Sequence, residues 1–173
     1  MSDQRYDIAI LGGGPGGYVA ALYAAAKGAR VALVERDRVG GICVTAGCIP
    51  SKALLDSSHA YWTATHGEEH GIVVQGATFV LPKAVARKDA VVKQLVGGIE
   101  QLLKGRKVDL IKGDGTFTSP GEIKVKAADG ERSVKANAII VATGSKVGMP
   151  PIKGLADSKP LDKIGRASCR ERV

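Results

Sequence analysis

Two cysteines five residues apart, Cys43 and Cys48, are the strongest chemical feature of the sequence. A zinc site needs about four ligands, and no second cysteine pair or histidine pair stands at ligand spacing. His59, His66 and His70 fall on or just beyond a predicted helix and read as surface residues. A structural disulfide is disfavoured in a chain that shows no signal peptide. A redox-active pair is the reading that remains in front. In an ideal helix, residues five apart have Cα atoms roughly 8–9 Å apart, and a disulfide wants less than about 7 Å. The segment around the pair must therefore be distorted or looped, and Gly47 supplies the freedom. Strained, accessible disulfides tend to be the reducible ones.

The second chemical feature is Gly12-x-Gly14-x-x-Gly17, placed between an apolar run and an Ala-rich segment. The first glycine permits a tight turn. The second lets the backbone approach a diphosphate, and the third lets helix and strand pack closely. Pro15 and Gly16 open the helix, whose positive end and free N–H groups would meet the anion. Glu35 follows Gly17 by 18 residues and ends the next apolar run. A carboxylate there can accept bonds from both hydroxyls of a ribose, and it disfavours a 2′-phosphate. The motif does not by itself separate FAD from NAD.

Elements must position these residues. Tyr6 to Leu11 reads as a buried strand, Pro15 to Lys27 as a helix stopped by Gly28, and Val31 to Val34 as a second buried strand. Together they form a β-α-β unit. Gly40 to Cys48 reads as a loop. Pro50 suits the first turn of a helix continuing from Ser51 to about Thr65, which puts Cys48 near its positive end and favours a thiolate. Leu81 to about Leu103 repeats apolar residues at spacings of three and four, as a helix does. Val108 to Ile111 is expected as a third parallel strand. Glu122–Lys126 and Ser133–Ala136 are expected as short strands around Asp129-Gly130, and Ala138–Ala142 as a strand running into Thr143-Gly144.

Composition removes some alternatives. The chain has 173 residues, 45% hydrophobic and 24% charged, which is ordinary for a globular domain. The formal charge of +8 is carried by scattered Lys and Arg without aromatic interleaving, so neither nucleic acid nor a membrane is the expected partner. Ile8 to Ala26 is 19 residues without a charge, long enough for a spanning helix. The glycines and proline from Gly12 to Gly17 would break one. A cytoplasmic protein is expected. Residues 164–173 lack periodicity and read like adapter DNA translated in one frame. That stretch, with Cys169, is expected to be a non-native tail.

The string Gly40-Gly41-Ile42-Cys43-Val44-Thr45-Ala46-Gly47-Cys48-Ile49-Pro50-Ser51-Lys52-Ala53-Leu54-Leu55 resembles the redox segment of the pyridine nucleotide-disulfide oxidoreductases. Its ending, and Gly13-Gly14-Pro15-Gly16-Gly17-Tyr18-Val19-Ala20-Ala21, resemble the dihydrolipoamide dehydrogenase branch. The resemblance implies an α/β fold: a Rossmann-like FAD-binding domain of the three-layer ββα type, with a parallel sheet and a small antiparallel β-meander, here incomplete. Residues 1–147 would be the first segment of that domain and 148–163 the start of a connection to an NAD-binding domain that is missing. Cys43 would be the interchange thiol, and Cys48 the thiolate lying against the flavin. Lys52 would sit near flavin N5, and Gly115 in the stretch that meets the adenine. Ala142-Thr143-Gly144 resembles the second flavin fingerprint. Gly41, Ile42 and Cys43 would face the cofactor, although Ile42 stands where the family often has a threonine able to bond a flavin phosphate. Thr45 and Ala46 replace a family asparagine and a larger apolar residue. The implied activity is oxidation of protein-bound dihydrolipoamide through the disulfide and FAD to NAD⁺. The implied partner is the lipoyl group of a 2-oxo acid dehydrogenase or glycine-cleavage complex, and the implied assembly a homodimer. The chain alone is expected to be inactive. The alternatives are another FAD-dependent disulfide reductase, of glutathione or mercuric type, and a stand-alone flavin-binding module.

Overall fold

The computed structural model describes residues 5–155, 157, 158, 160 and 162–167. The chain divides into two compact units, one made of residues 1–43 and 95–148, the other of residues 44–94 and 149–173.

The first unit is built on β1 (Tyr6–Leu11), α1 (Pro15–Ala26), β2 (Val31–Glu35), β3 (Asp109–Lys112), β4 (Asp114–Ser119), β5 (Glu122–Ala127) and β6 (Gly130–Val141). The strands form one sheet in the order β3-β2-β1-β6-β5-β4. β3, β2, β1 and the end of β6 run parallel, with Ile8 opposite Val31 and Ala138, and Leu33 opposite Leu110. β4, β5 and the start of β6 form an antiparallel meander, with Val125 opposite Gly115 and Arg132. The fold is therefore the expected α/β one, with a parallel sheet and a meander.

Sequence explains which part is which. Ala9 to Leu11 of β1 and Val31 to Val34 of β2 are unbroken apolar runs because both their faces are covered, whereas Asp7 near the start of β1 is exposed. Ile10 and Leu33 are fully buried, and Ile10 lies close to Gly17 of α1. Ala9, Leu11, Ala32 and Val34 form a cluster with Ile123, Val125, Val134 and Ala136. These last four come from alternate positions of β5 and β6, which is the period-two signature of strands covered on one face. Burying a Leu, Ile or Val fully stabilises by about 1.5–3 kcal/mol before the entropy of ordering it. Clustered side chains of this kind are what hold the sheet.

Two features of the sheet differ from the expectation. The expected strands Ser133–Ala136 and Ala138–Ala142 are one continuous strand, β6, which changes partner from β5 to β1 near Ala136. An interval of one residue gave no room for a turn. β4 was not expected at all. Its side chains are mostly exposed, so it shows no apolar pattern, and β5 recruits it by hydrogen bonding.

The second unit holds α3 (Cys48–Thr65), a 3₁₀ turn at Glu68–His70, the first part of α4 (Leu81–Gly105) and α5 (Lys163–Ala167). The remainder of α4 belongs to the first unit. Tyr61 meets Phe79 edge-on at 5.7 Å. Trp62 stacks with His59 and His66 on the α3 surface. Arg87 of α4 donates to the Ala53 carbonyl at 3.1 Å and pairs with Asp56 at 2.6 Å. The described start of the tail is not formless. α5 lies beside α3, and Asp162 caps it by accepting the Gly165 N–H at 2.6 Å. Cys169 and the rest of 168–173 lie outside the described residues.

Candidate functional site

The glycine loop joins β1 to α1, as its spacing predicts. The Gly12 N–H donates to the Val34 carbonyl at 2.8 Å, which binds the loop to the end of β2. Gly12 has φ +106°, and a side chain there would strike the Ala142 carbonyl. A side chain at Gly17 would strike the Gly12 carbonyl. Gly14 caps α1 without offering a side chain, Pro15 occupies the first turn, and no acidic residue stands in that turn. The Gly17 and Tyr18 N–H groups both donate to the Gly14 carbonyl at 2.9 Å, and Pro15 has no N–H, so the Gly16 N–H and the positive end of the helix dipole are what the first turn offers an anion. A side chain at Gly14 or Gly16 would meet nothing closer than 3.9 Å, so the ground above the helix end is open. A diphosphate fits a cradle of this kind.

The Glu35 carboxylate is turned into the loop. One oxygen accepts the Gly13 N–H at 2.6 Å, and the other accepts the Asp37 N–H at 2.9 Å. The Gly13 carbonyl in turn accepts the Gly40 N–H at 2.8 Å. Gly41 has φ +56°, and a Cβ on it would sit 2.7 Å from the Gly14 Cα. Gly40 and Gly41 therefore bring the start of the cysteine segment onto the glycine loop. Neither Gly13 nor Gly40 was singled out by sequence. The signal was there in the pair Gly40-Gly41 ahead of Ile42, because successive positive φ values suit glycine far better than other residues.

The segment expected as a loop from Gly40 to Cys48 is mostly helical. A short helix, α2, spans Gly41–Thr45 and carries Ile42 and Cys43. The chain then breaks at Gly47, with φ −117° and ψ −96°, and α3 starts at Cys48 rather than near Pro50. The two cysteines therefore do not lie on one continuous helix: Cys43 belongs to the five-residue α2 and Cys48 opens the 18-residue α3. Cys43 and Cys48 are both partly exposed. Cys48 stands at the first position of α3, where the helix dipole favours a thiolate. Lys52 follows four residues later, on the same helix face, and is exposed.

Ala142 is brought to the glycine loop: its N–H donates to the Leu11 carbonyl at 2.8 Å, and its carbonyl lies against Gly12. Thr143 follows, exposed, and Gly144 has φ +77° with open space around it. Gly115 on β4 is demanded by packing, since a Cβ would press into Leu11 and Val34. The first unit thus gathers Gly12, Gly14, Pro15, Gly16, Gly17, Glu35, Gly41 and Ala142 about one loop, whereas Cys48 and Lys52 belong to the second unit.

Residues 6–169 match the model of the pyridine nucleotide-disulphide oxidoreductases. The chain belongs to this family. It is 46% identical over 173 residues to dihydrolipoyl dehydrogenase 1, mitochondrial, of Arabidopsis thaliana, covering 98% of this chain and 34% of that protein. It is 41% identical over 163 residues to a dihydrolipoyl dehydrogenase of Geobacillus stearothermophilus, covering 94% of this chain and 34% of that protein. Among solved structures it is similar to LpdA from Mycobacterium tuberculosis, with a TM-score of 0.74 and 32% identity, over 83% of this chain and 33% of that one. It is also similar to the HOCl-induced flavoprotein disulfide reductase RclA from Escherichia coli, solved as a Cu(II) complex, with a TM-score of 0.72 and 28% identity, over 88% of this chain and 32% of that one. The chain spans about a third of the length of these relatives.

Family membership implies a flavin cofactor. The cradle at the start of α1 and the carboxylate at the end of β2 suit its dinucleotide form. No helix among the described residues is long and apolar enough to cross a membrane. No group of three or more potential metal ligands occurs among them either.

Proposed function

We propose that the chain carries the dithiol and FAD-binding parts of a cytoplasmic dihydrolipoyl dehydrogenase. The whole protein would oxidise lipoyl groups of a 2-oxo acid dehydrogenase or glycine-cleavage complex and reduce NAD⁺, as a homodimer. The observation that carries this reading is the Gly13–Gly40 hydrogen bond, which ties the dinucleotide loop to the segment bearing Cys43. Likeness to relatives named dihydrolipoyl dehydrogenase gives the substrate class.

The Gly16 N–H and the positive end of α1 would hold the diphosphate of FAD, and Glu35 a ribose. Gly41, Ile42, Cys43, Lys52, Gly115, Ala142, Thr143 and Gly144 would complete the surroundings. FAD supplies, when bound, a two-electron acceptor. The chain's own residues supply the thiol exchange. A thiolate of dihydrolipoamide attacks Sγ of Cys43 in the oxidised pair, and the bond to Cys48 breaks. Cys48 departs as a thiolate, stabilised at the start of α3. The second substrate thiolate then displaces Cys43, so that lipoamide leaves oxidised and both cysteines are reduced. Lys52 places positive charge one turn along from Cys48. Hydride transfer to NAD⁺ is assigned to the whole protein, and the 173-residue chain alone is expected to form no NADH from dihydrolipoamide.

Peptide mapping of the chain after mild oxidation checks the central step. The expected result is a Cys43–Cys48 disulfide that dihydrolipoamide opens, and Cys43→Ser abolishes it. Absence of that disulfide in the folded, oxidised chain would sink the proposal. Opening by glutathione at least as fast as by dihydrolipoamide would move the reading to a different disulfide substrate.

A further inference from the structure

We infer that Glu35 is a positioning residue for Cys43, acting through the two peptide groups that flank Gly13. The inference rests on the reading of Cys43 as the interchange thiol, and it adds a second task to a carboxylate otherwise assigned to a ribose.

The observations form a chain of contacts within one unit. Glu35 ends β2, whose backbone is fixed in the sheet between β1 and β3. Its side chain lies along Gly13, where an added Cβ would come within 3.0–3.2 Å of the Glu35 side-chain atoms. Its Oε2 accepts the Gly13 N–H at 2.6 Å, in the range of charge-assisted bonds, which are about twice as strong as neutral ones. The next peptide carries the Gly13 carbonyl, which accepts the Gly40 N–H at 2.8 Å. Gly41 follows against Gly14, closely enough that no side chain could be inserted. Gly41 is the first residue of α2, and Cys43 is the third. A displacement of Gly40 and Gly41 is therefore passed to Cys43 by a single helical turn.

The carboxylate can perform both tasks. It offers about four lone-pair sites, and the Gly13 and Asp37 N–H groups take one on each oxygen. Capacity remains for hydroxyl donors. A shortened side chain would lose the Gly13 bond first. Gly40 and Gly41, with φ +99° and +56°, adopt a conformation that only an external hold makes unique. Without it, the segment samples other arrangements and the Cys43 thiol changes its surroundings.

The test is alkylation of the reduced 173-residue chain with iodoacetamide, followed at each cysteine by mass spectrometry. Native protein is compared with Glu35→Ala, Glu35→Gln and Glu35→Asp, each checked for folding by circular dichroism. In Glu35→Ala the Cys43 rate is expected to change by at least about threefold while the Cys48 rate holds, because the hold lost is local. Glu35→Gln keeps an oxygen for the Gly13 N–H and should restore most of the native Cys43 rate. A merely structural role would move both cysteines together and would not be rescued selectively. An equal change at both cysteines, no change at Cys43, or a Gln variant as altered as the Ala variant overturns the inference. If Glu35→Ala does not fold, Glu35→Asp decides, with the same selective change at Cys43 expected and its absence overturning the inference. No nucleotide or lipoyl compound enters the measurement. Failure here is thus separate from failure of the proposed function, which shows as the missing Cys43–Cys48 disulfide.

Discussion

In the first unit Ile10, Leu33, Leu103, Ile123, Val31, Val34, Val39 and Val125 are almost wholly removed from water. Among the large side chains described in the second unit, Pro50 alone is buried to that degree, while Leu55, Trp62, Val73 and Ile152 are at least half exposed. The first unit has a core of its own, assembled from long-range strand pairing. The second buries small apolar side chains, Val44, Ala53, Ala84 and Val92 among them, and adds ring contacts of Tyr61 with Phe79 and of Trp62 with its histidine neighbours, with Arg87 gripping α3. The lesson concerns the division of labour. The dinucleotide loop sits on the part with the larger buried core. Cys48 and Lys52 sit on an element with little apolar anchoring of its own.

The sharpest way to break this contrast is a pair of matched truncations. Leu33→Ala removes a fully buried side chain from β2 and leaves a cavity, for a loss of about 2–5 kcal/mol. Leu55→Ala on α3 removes a side chain that is 67% exposed, and surface changes of that sort stay within about 0.5 kcal/mol. Urea unfolding of the two variants checks the difference. Equal losses would mean that Leu55 is covered in solution, and the contrast between the units would fail.

The same contrast explains what could be read in the sequence. β1, β2 and α1 were legible because Ile8–Leu11 and Val31–Val34 are apolar runs and the helix between them is flanked by glycines at fixed spacings. β4 was not, since Asp114–Ser119 joins the sheet by backbone bonds while its side chains stay exposed. The continuity of β6 was missed because the pattern changes where its partners change. The residues of the glycine loop were legible, as was Glu35, and so was the need for a break between the cysteines. Hidden from view was the bond from Gly13 to Gly40. It joins backbone groups 27 positions apart, and backbone hydrogen bonds leave no mark on residue type except where glycine is required. α5 was missed because its cap, Asp162, precedes a stretch without apolar periodicity.

A smaller effect sharpens the account of the second unit. Arg87 is the polar link from α4 to α3, through the Ala53 carbonyl and the Asp56 carboxylate. The pair is half exposed, so solvent screens it and Arg87→Ala should cost about 1 kcal/mol or less. Hydrogen exchange shows where that cost falls. Amides of α3 around Ala53 to Ser57 should exchange faster, with those of β1 and β2 unchanged. Arg87→Lys should not restore protection, because an ammonium cannot fork between a carbonyl and a carboxylate. Protection lost uniformly in both units would mean that they open together, contrary to the comparison.

The smallest effect lies at the far end of β1 from the glycine loop. The Tyr6 hydroxyl donates to Asp109 at 2.9 Å, and the Arg30 guanidinium lies 4.9 Å from its ring centre. Partial burial, then the hydrogen bond and the charge of Asp109, raise the Tyr6 pKa above the ordinary value of about 10. The sign follows from linkage. A folded pKa above the unfolded one contributes stability that is fully present below about pH 10, and the contribution is lost as pH rises through the folded value. Tyr6→Phe removes the hydroxyl, so the variant should be slightly less stable at neutral pH, by about 0.5 kcal/mol for one exposed hydrogen bond. Its difference from the native chain should shrink above pH 10, where the native tyrosine ionises beside Asp109 and loses its donor. Urea midpoints at pH 7, 9 and 10.5 for the two proteins check this. A gap between them that widens with pH would mean that Arg30, and not Asp109, governs the ionised tyrosine at this end of the sheet.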